Sequence, residues 1–281
     1  MTVETGSSAA GAHPWRPAPA IRVSFLLHAA AAVVVVAQPA LWPWALGGVA
    51  ANHLLLSAAV LWPRGRLLGP NLVRLPAAAA ARNEVSLNFD DGPDPEVTPR
   101  VLDLLDRYQA QASFFCVGRK AAAHPELVRE IARRGHSVEN HSYRHPHAFA
   151  FYGPGGLRRE VDETQALVAG LAGRAPEFFR APAGFRSPLL DPVLARRGLR
   201  YVSWTRRGFD TVQRDPAAVL RRLTRGLAAG DVLLLHDCAY RRTPDGEPLV
   251  LAVLPALLER LAAAGLKTVS LPAACGRGPA D

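Results

Sequence analysis

Two adjacent aspartates stand where an apolar run stops and a turn begins. The run over residues 85–89 is predicted to be a buried strand, and Asp90 and Asp91 lie between it and Gly92-Pro93. Neighbouring side chains of a strand point to opposite faces, so two adjacent carboxylates reach one site only where the backbone turns. Carboxylates arranged in this way can hold a metal ion and accept a proton. The alternative interpretation is that acidic residues simply decorate a turn.

Two imidazoles four residues apart follow the third predicted strand. If this segment is helical, His141 and His145 lie on one face, one turn apart, and can bind one metal ion. Asp91 would supply a third ligand, and two histidines with one carboxylate leave coordination positions for water and substrate. A polar surface loop is the alternative, and we expect the nearby His147 to be of that kind.

A cation and a further histidine end two other predicted strands. Arg180 follows the fourth strand, where it would either fix a carboxylate in its ionised form or remain a surface charge. His236 follows the apolar run at 232–235. It is either a structural histidine or one that Asp210 orients and whose pKa Asp210 raises.

The elements that must position these residues alternate between strand and helix from residue 83 onward. This alternation predicts an α/β fold with parallel strands covered by helices, and seven units favour a (β/α) barrel over an open sheet. Active sites of such barrels lie at the carboxyl ends of the strands, where all the residues above fall. The predicted strands cover residues 85–89, 112–117, 137–140, 178–181, 200–204, 232–235 and 267–270.

The N-terminal part of the chain has a different character. Two apolar segments, 23–41 and 44–62, each approach the ~20 residues that cross a bilayer as a helix. They predict a membrane hairpin of two helices, with a cleaved signal peptide or a soluble hairpin packed on the main domain as alternatives. The predicted organisation is a disordered N-terminus at 1–20, a hairpin at 21–63, a linker at 64–82, a catalytic domain at 83–272 and a tail at 273–281.

Charge gives the hairpin an orientation. The net charge is +9, and residues 1–82 hold six Arg and one Glu, so the positive excess is concentrated beside the apolar segments. Basic residues flank the hairpin at both ends, which predicts that both ends and the main domain face the cytoplasm of a bacterial-type inner membrane. No nucleic-acid-binding motif is visible, so we expect membrane lipid rather than nucleic acid as a partner.

Five motifs resemble, in order and spacing, those of the polysaccharide deacetylase family, also called the NodB-homology domain or carbohydrate esterase family four. The resemblance covers about residues 85–271, roughly two thirds of the chain, and leaves out the hairpin. The motifs are Asn88-Phe89-Asp90-Asp91-Gly92-Pro93, His141-Ser142-Tyr143-Arg144-His145-Pro146, Arg180-Ala181-Pro182-Ala183-Gly184, Trp204 with Asp210, and Leu234-Leu235-His236.

The resemblance implies a distorted seven-stranded barrel and a divalent metal, usually zinc and sometimes cobalt. It implies that Asp90 is the general base and that Arg180 orients it. It also implies that His236 is the general acid, with Asp210 as its partner. The implied metal ligands are Asp91, His141 and His145, and Leu234 is implied to line the pocket for the acyl methyl group.

The chain departs from the family pattern around the substrate. Ala183 and Thr211 stand where the family usually has aromatic residues, which puts polymer binding in doubt. Two arginines of the fourth motif either meet a phosphate or are solvated loop residues. The predicted substrate-binding residues are Ala183, Gly184, Leu234, Trp204, Arg206 and Arg207.

These observations together predict a membrane-anchored, metal-dependent hydrolase. It would remove an N-acyl group, N-acetyl in the simplest case, from an amino sugar in a soluble precursor or a lipid-linked glycan. Two alternatives remain: a membrane-tethered carbohydrate-binding protein that has kept the barrel without catalysis, and an O-acetyl esterase that uses the same site.

Overall fold

A curled parallel sheet forms the centre of the computed structural model, which describes residues 15–276. The strand order is β5-β4-β3-β2-β1-β7-β6, and β8 pairs with the first residues of β1. All strand pairs are parallel. The strands are β1 Glu84–Asp90, β2 Ala112–Cys116, β3 Ser137–Asn140, β4 Phe178–Phe179, β5 Arg200–Tyr201, β6 Arg206–Arg207, β7 Val232–His236 and β8 Lys267–Thr268.

Helices connect the successive strands except β5 and β6, and they cover the outside of the sheet, as parallel pairing requires. The N-terminal helices α1 and α2 are joined by a 3-10 turn at Pro39–Leu41. The helices are α1 Pro19–Ala37, α2 Trp42–Val60, α3 Ala77–Ala81, α4 Thr98–Arg107, α5 Gly118–Ala123, α6 Pro125–Arg133, α7 Pro154–Ala172, α8 Asp191–Arg196, α9 Pro216–Thr224, α10 Leu249–Ala263 and α11 Leu271–Gly276.

The predicted α/β barrel class is confirmed, and each of the seven predicted strands overlaps an observed one. β6 was not predicted, because two arginines give no apolar run by which a strand is recognised. Residues 1–20 are predicted to be disordered. Of these, residues 1–14 lie outside the described residues, and Pro19 begins α1. Of the predicted tail at 273–281, residues 273–276 belong to α11 and the rest lies outside the described residues.

Alternation along β1 separates the core from the site. Val85, Leu87 and Phe89 are fully buried against the outer helices, in a cluster that includes residues of α4, α9 and α10. Asn88 and Asp90 point to the opposite face, the barrel interior. The apolar outer face therefore fixes the register that brings polar residues together at the inner rim.

The α1–α2 hairpin leaves its apolar surface uncovered. Both helices are long and apolar enough to cross a membrane, by length and composition only, and almost none of their residues are buried. Their polar side chains pair across the hairpin: Asn52 donates to Ser24 Oγ at 2.9 Å, and the His28 and His53 Nε2 atoms lie 3.2 Å apart. Four of the polar side chains that interrupt the two apolar segments therefore have partners within the hairpin.

The segment assigned to a linker is packed against the sheet. Residues 63–75, here called the strap, run between the ends of β5 and β6, where Leu72 forms a parallel bridge to Val202. The Leu72 N–H donates to the Tyr201 carbonyl, and the Ser203 N–H donates to that of Leu72. The strap therefore satisfies backbone groups that the gap between β5 and β6 would otherwise leave unpaired.

A buried carboxylate ties the strap to the missed strand. Asp231 is fully buried and forms ion pairs with Arg206 of β6 and, at 2.7 Å, with Arg74 of the strap. We expect Asp231→Ala to lower the free energy of unfolding by about 3–5 kcal/mol, because it leaves Arg206 partly buried without its partner.

Arg74→Ala is the matched comparison. Its side chain is 49% exposed, so its loss should cost about 1 kcal/mol or less. Denaturant unfolding of the full chain in detergent, followed by tryptophan fluorescence, gives both values. Equal losses for the two variants would contradict this assignment.

Candidate active site

A tight turn after β1 brings the second aspartate to the same rim as the first. Asp91 has a φ of 71°, and its carbonyl accepts a hydrogen bond from Lys120 Nζ at 2.7 Å. A Cβ on Gly92 would lie 2.1 Å from the Asp237 carboxylate, so only glycine fits there. This turn is what allows adjacent carboxylates to face one site.

The two predicted imidazole ligands converge through a loop rather than a helix. The segment from His141 to His145 is irregular, with φ of 62° at Ser142 and 54° at His145, so the helical interpretation was wrong. The ring centroids still lie 4.9 Å apart. Glu160 of α7 holds the loop by accepting hydrogen bonds from the N–H groups of residues 143 and 144, at 2.9 and 2.8 Å.

Asp91 and the two imidazoles form a compact donor set. Asp91 Oδ1 lies 3.2 Å from His141 Nε2 and 3.1 Å from His145 Nε2. One ligand atom from each residue fits within 4.8 Å of the others. Burial opposes the ionisation of Asp91, but the neighbouring imidazoles outweigh it and hold the carboxyl pKa well below its usual value.

This donor set fits a divalent metal. Asp91 Oδ1 is buried and accepts no hydrogen bond in the described part of the chain, so a cation would satisfy it. His141 directs Nδ1 to the Arg180 carbonyl at 2.9 Å, which leaves Nε2 turned toward Asp91. Such an outer hydrogen bond is typical of metal-binding histidines. Nitrogen and carboxylate ligands suit zinc.

A fully buried guanidinium holds the first aspartate. Arg180 Nη1 donates to Asp90 Oδ1 at 2.6 Å, and Nη2 donates to Asn88 Oδ1 at 2.7 Å and to the Ser203 carbonyl at 2.9 Å. The guanidinium also lies 4.0 Å from the centroid of the Phe115 ring. The other oxygen, Asp90 Oδ2, remains directed at the donor set, 3.8 Å from His141 Nε2.

His236 also borders the donor set. Its Nε2 lies 3.9 Å from Asp91 Oδ2, and its Nδ1 lies 2.9 Å from Asp210 Oδ1. Burial disfavours the imidazolium, but Asp210, together with Asp91 and Asp90, outweighs burial and raises the pKa of His236 to about 9. The backbone N–H of His236 also donates to Asp210 Oδ2, so this carboxylate fixes both the ring and the chain.

The predicted substrate-binding residues occupy different surroundings. Ala183 is exposed at the rim with a φ of 55°, and Gly184 packs under Trp204, whose ring a Cβ there would meet at 2.5 Å. Leu234 is buried in β7, two residues before His236.

The two arginines of β6 differ from one another. Arg206 is held by Asp231 and by the carbonyls of Arg225 and Gly226, so its guanidinium is already engaged. Arg207 instead lies 5.2 Å from the Trp204 ring centroid and 5.0 Å from that of Phe209.

Sequence reasoning missed several residues that shape the site. Tyr240 is half-exposed with its ring centroid 6.4 Å from that of His236, and burial raises the pKa of its phenol. Thr98 Oγ1 donates to Asp237 Oδ2 at 2.6 Å beneath the Asp91 turn. Glu160 gave no signal because it has the pattern of an ordinary helix residue, whereas Asn88 was quoted in the first motif without a role and Asp237 directly follows the fifth motif.

Comparison with known proteins gives a consistent set of similarities. A family model described as polysaccharide deacetylase matches residues 77–202. A peptidoglycan-N-acetylglucosamine deacetylase of Bacillus cereus is 32% identical over 193 residues, which are 67% of this chain and 67% of that protein. A chitooligosaccharide deacetylase of Azorhizobium caulinodans is 31% identical over 70% of this chain and 97% of its own length.

A solved structure extends the similarity to the fold. The crystal structure of a peptidoglycan N-acetylglucosamine deacetylase is similar with a TM-score of 0.66 and 27% sequence identity. The match covers 75% of this chain and 95% of that one.

The donor set makes a direct prediction about metal binding. The full chain should bind one equivalent of zinc in equilibrium dialysis, and His145→Ala should weaken this binding by more than about 100-fold, because a ligand contributes more than the outer residues that orient it. His147→Ala is the matched control, since His147 is exposed and its ring centroid lies 6.5 Å from that of His145. Equal affinity in both variants would contradict the assignment of His145 as a ligand.

Proposed function

Since the chain belongs to the polysaccharide deacetylase family and is a hydrolase of carbon–nitrogen bonds other than peptide bonds, we propose that it is a metal-dependent deacetylase of an N-acetylated amino sugar in a precursor or lipid-linked glycan. One observation carries this proposal. Asp90 Oδ2 and His236 Nε2 flank the same donor set, 3.8 Å from His141 and 3.9 Å from Asp91. A base and an acid on opposite sides of one reacting carbon are what amide hydrolysis needs.

The side chains divide the reaction between them. A bound zinc ion, held by Asp91, His141 and His145, would supply Lewis acidity and lower the pKa of water. Asp90 takes the proton of the attacking water, and Arg180 binds one oxygen of Asp90 and so aims the other at the donor set. His236, held by Asp210, donates a proton to the departing amine, which is a poor leaving group without it. A backbone N–H near Ala183 helps to hold the oxyanion.

We further propose that the α1–α2 hairpin anchors the enzyme in a membrane. Phe25, Leu26, Trp44 and Leu54 are each more than half exposed, and neither helix packs on the barrel as a soluble hairpin would. An exposed apolar surface of this extent is favourable in lipid and unfavourable in water. A 19-residue helix such as α1 is about 28 Å long, close to the thickness of the hydrocarbon core.

Arginines beside the hairpin support a cytoplasmic barrel. Arg16 and Arg22 lie at its start and Arg64 and Arg66 at its end, whereas the turn at Pro39–Leu41 is uncharged. Basic residues favour the cytoplasmic side. An amino-sugar precursor, soluble or lipid-linked, is the substrate that a cytoplasmic site would meet.

The catalytic roles are tested by acetate release from N-acetylated amino sugars. Asp90→Asn should lower kcat by about 10²–10⁴-fold, because an amide cannot take the proton from water, and it should retain metal. Asp245→Asn is the control, since Asp245 is exposed and has no partner among the described residues.

An Asp90→Asn variant that binds metal and keeps the wild-type rate would contradict the assigned base. Metal binding without hydrolysis of any N-acyl sugar by the wild type would favour the non-catalytic alternative. Release of acetate only from O-acetylated sugars would favour the esterase.

Membrane topology has its own test. A reporter fused after Asp281 should be active on the cytoplasmic side, because the flanking arginines hold both hairpin ends there. The same reporter inserted after Pro39, in the turn between the helices, should report the opposite side. Both fusions reporting one side, or release of the protein by alkaline carbonate, would contradict the hairpin anchor.

A further inference from the structure

We propose that Arg207 binds a phosphate group of the substrate, so that the enzyme selects an amino sugar linked through phosphate to a membrane lipid. This inference rests on the proposed deacetylase function and adds a specificity-determining residue to it. Of the two arginines of β6, only Arg206 has an acidic partner among the described residues.

The side chain of Arg207 points into the barrel. A Cβ on the next residue, Gly208, would lie 2.8 Å from Val219 of α9 and 3.2 Å from Leu235, so Gly208 faces the outer helix layer. Adjacent strand residues face opposite sides, which directs Arg207 inward. Its register partner is Leu234, two residues before His236.

Arg207 is held in place but lacks an anionic partner. Its guanidinium lies over the rings of both Trp204 and Phe209, with centroids 5.2 and 5.0 Å away. Its Nε is buried without an acceptor, and no carboxylate forms an ion pair with it, within residues 15–276. A preoriented guanidinium with unused donors is suited to bidentate contact with phosphate.

The position of Arg207 is close to the end of the hairpin. Pro63 follows α2 by three residues, and a Cβ on Gly184 would meet Pro63 at 3.0 Å and the Trp204 ring at 2.5 Å. Ser203 Oγ also donates to the Pro63 carbonyl. Three residues span at most about 11 Å, so the wall of the site formed by Gly184 and Trp204 lies close to the C-terminal end of α2.

This placement matches the order of groups in a lipid-linked sugar. The phosphate lies between the lipid and the sugar, so it would meet the wall nearest the hairpin while the N-acetyl group reaches the donor set. A neutral polymer has no group for Arg207, and the exposed Ala183 and the partly buried Thr211 offer it no aromatic surface.

The experiment compares two substrates that carry the same N-acetylglucosamine unit: one linked through diphosphate to a polyprenyl chain, and a neutral chito-oligosaccharide. Full-length protein in nanodiscs is assayed as wild type, Arg207→Gln, Arg207→Lys and Arg222→Gln. Arg222 is the matched control, because it lies 5.3 Å from the centroid of the same Phe209 ring but on α9, outside the barrel.

Arg207→Gln should lower the ratio of kcat/KM for the phosphate-bearing substrate over the neutral one by roughly 10- to 100-fold, the usual effect of losing a charged hydrogen bond. Arg207→Lys should restore part of the ratio, and Arg222→Gln should leave it unchanged. An unchanged ratio in Arg207→Gln, or an equal change in Arg222→Gln, would overturn the inference.

Two further arms separate the remaining outcomes. If a soluble nucleotide-diphosphate sugar is hydrolysed as efficiently as the lipid-linked sugar, the enzyme does not select for the lipid, and that part of the inference fails.

Titration calorimetry with N-acetylglucosamine 1-phosphate and N-acetylglucosamine measures phosphate preference without turnover, and Arg207→Gln should abolish that preference. A wild type that binds the phosphate but hydrolyses no amino sugar defeats the proposed function alone, whereas an active wild type without phosphate preference defeats this inference alone.

Discussion

The buried guanidinium of Arg180 is the constraint on which the arrangement of the site depends. A fully buried cation is stable only when carboxylates and carbonyls surround it, and Asp90, Asn88 and the Ser203 carbonyl do so here. These contacts join β1 to the segment after β5 across the barrel interior. They also leave one oxygen of Asp90 free on the side of the donor set. The charge that stabilises the interior therefore also orients the predicted base.

Much of the architecture could be predicted because short apolar runs that alternate with helical segments are clear in the sequence. The runs predicted seven strands, and the polar residues at their carboxyl ends predicted the rim. The register of β1 then brings Asp90 and His236 side by side, as paired positions of neighbouring strands. β6 could not be predicted because its residues are charged. The His141–His145 loop could not be predicted because the spacing of the two histidines shows neither its left-handed backbone nor its hydrogen bonds to Glu160. Contacts between distant segments, such as Arg206 with Asp231, are not encoded in any local pattern.

The N-terminal region is structurally continuous with the catalytic unit. The strap pairs with the segment after β5. Ser203 donates through Oγ to the Pro63 carbonyl and accepts from Arg180 through its own carbonyl. The strap therefore does more than connect the hairpin to the barrel, because it also forms part of the wall behind Asp90. In the proposed membrane setting, this continuity keeps the rim at a fixed distance from the bilayer, which a flexible linker would not do.

The central claim is that residues scattered from 90 to 236 meet around one cation. Anomalous diffraction at the zinc absorption edge, from crystals of the full chain, tests it most directly. We expect a single strong peak bounded by an Asp91 carboxylate oxygen and the Nε2 atoms of His141 and His145, with Asp90 and His236 on either side. A peak bound to other residues, or none in crystals grown with zinc, would contradict the account.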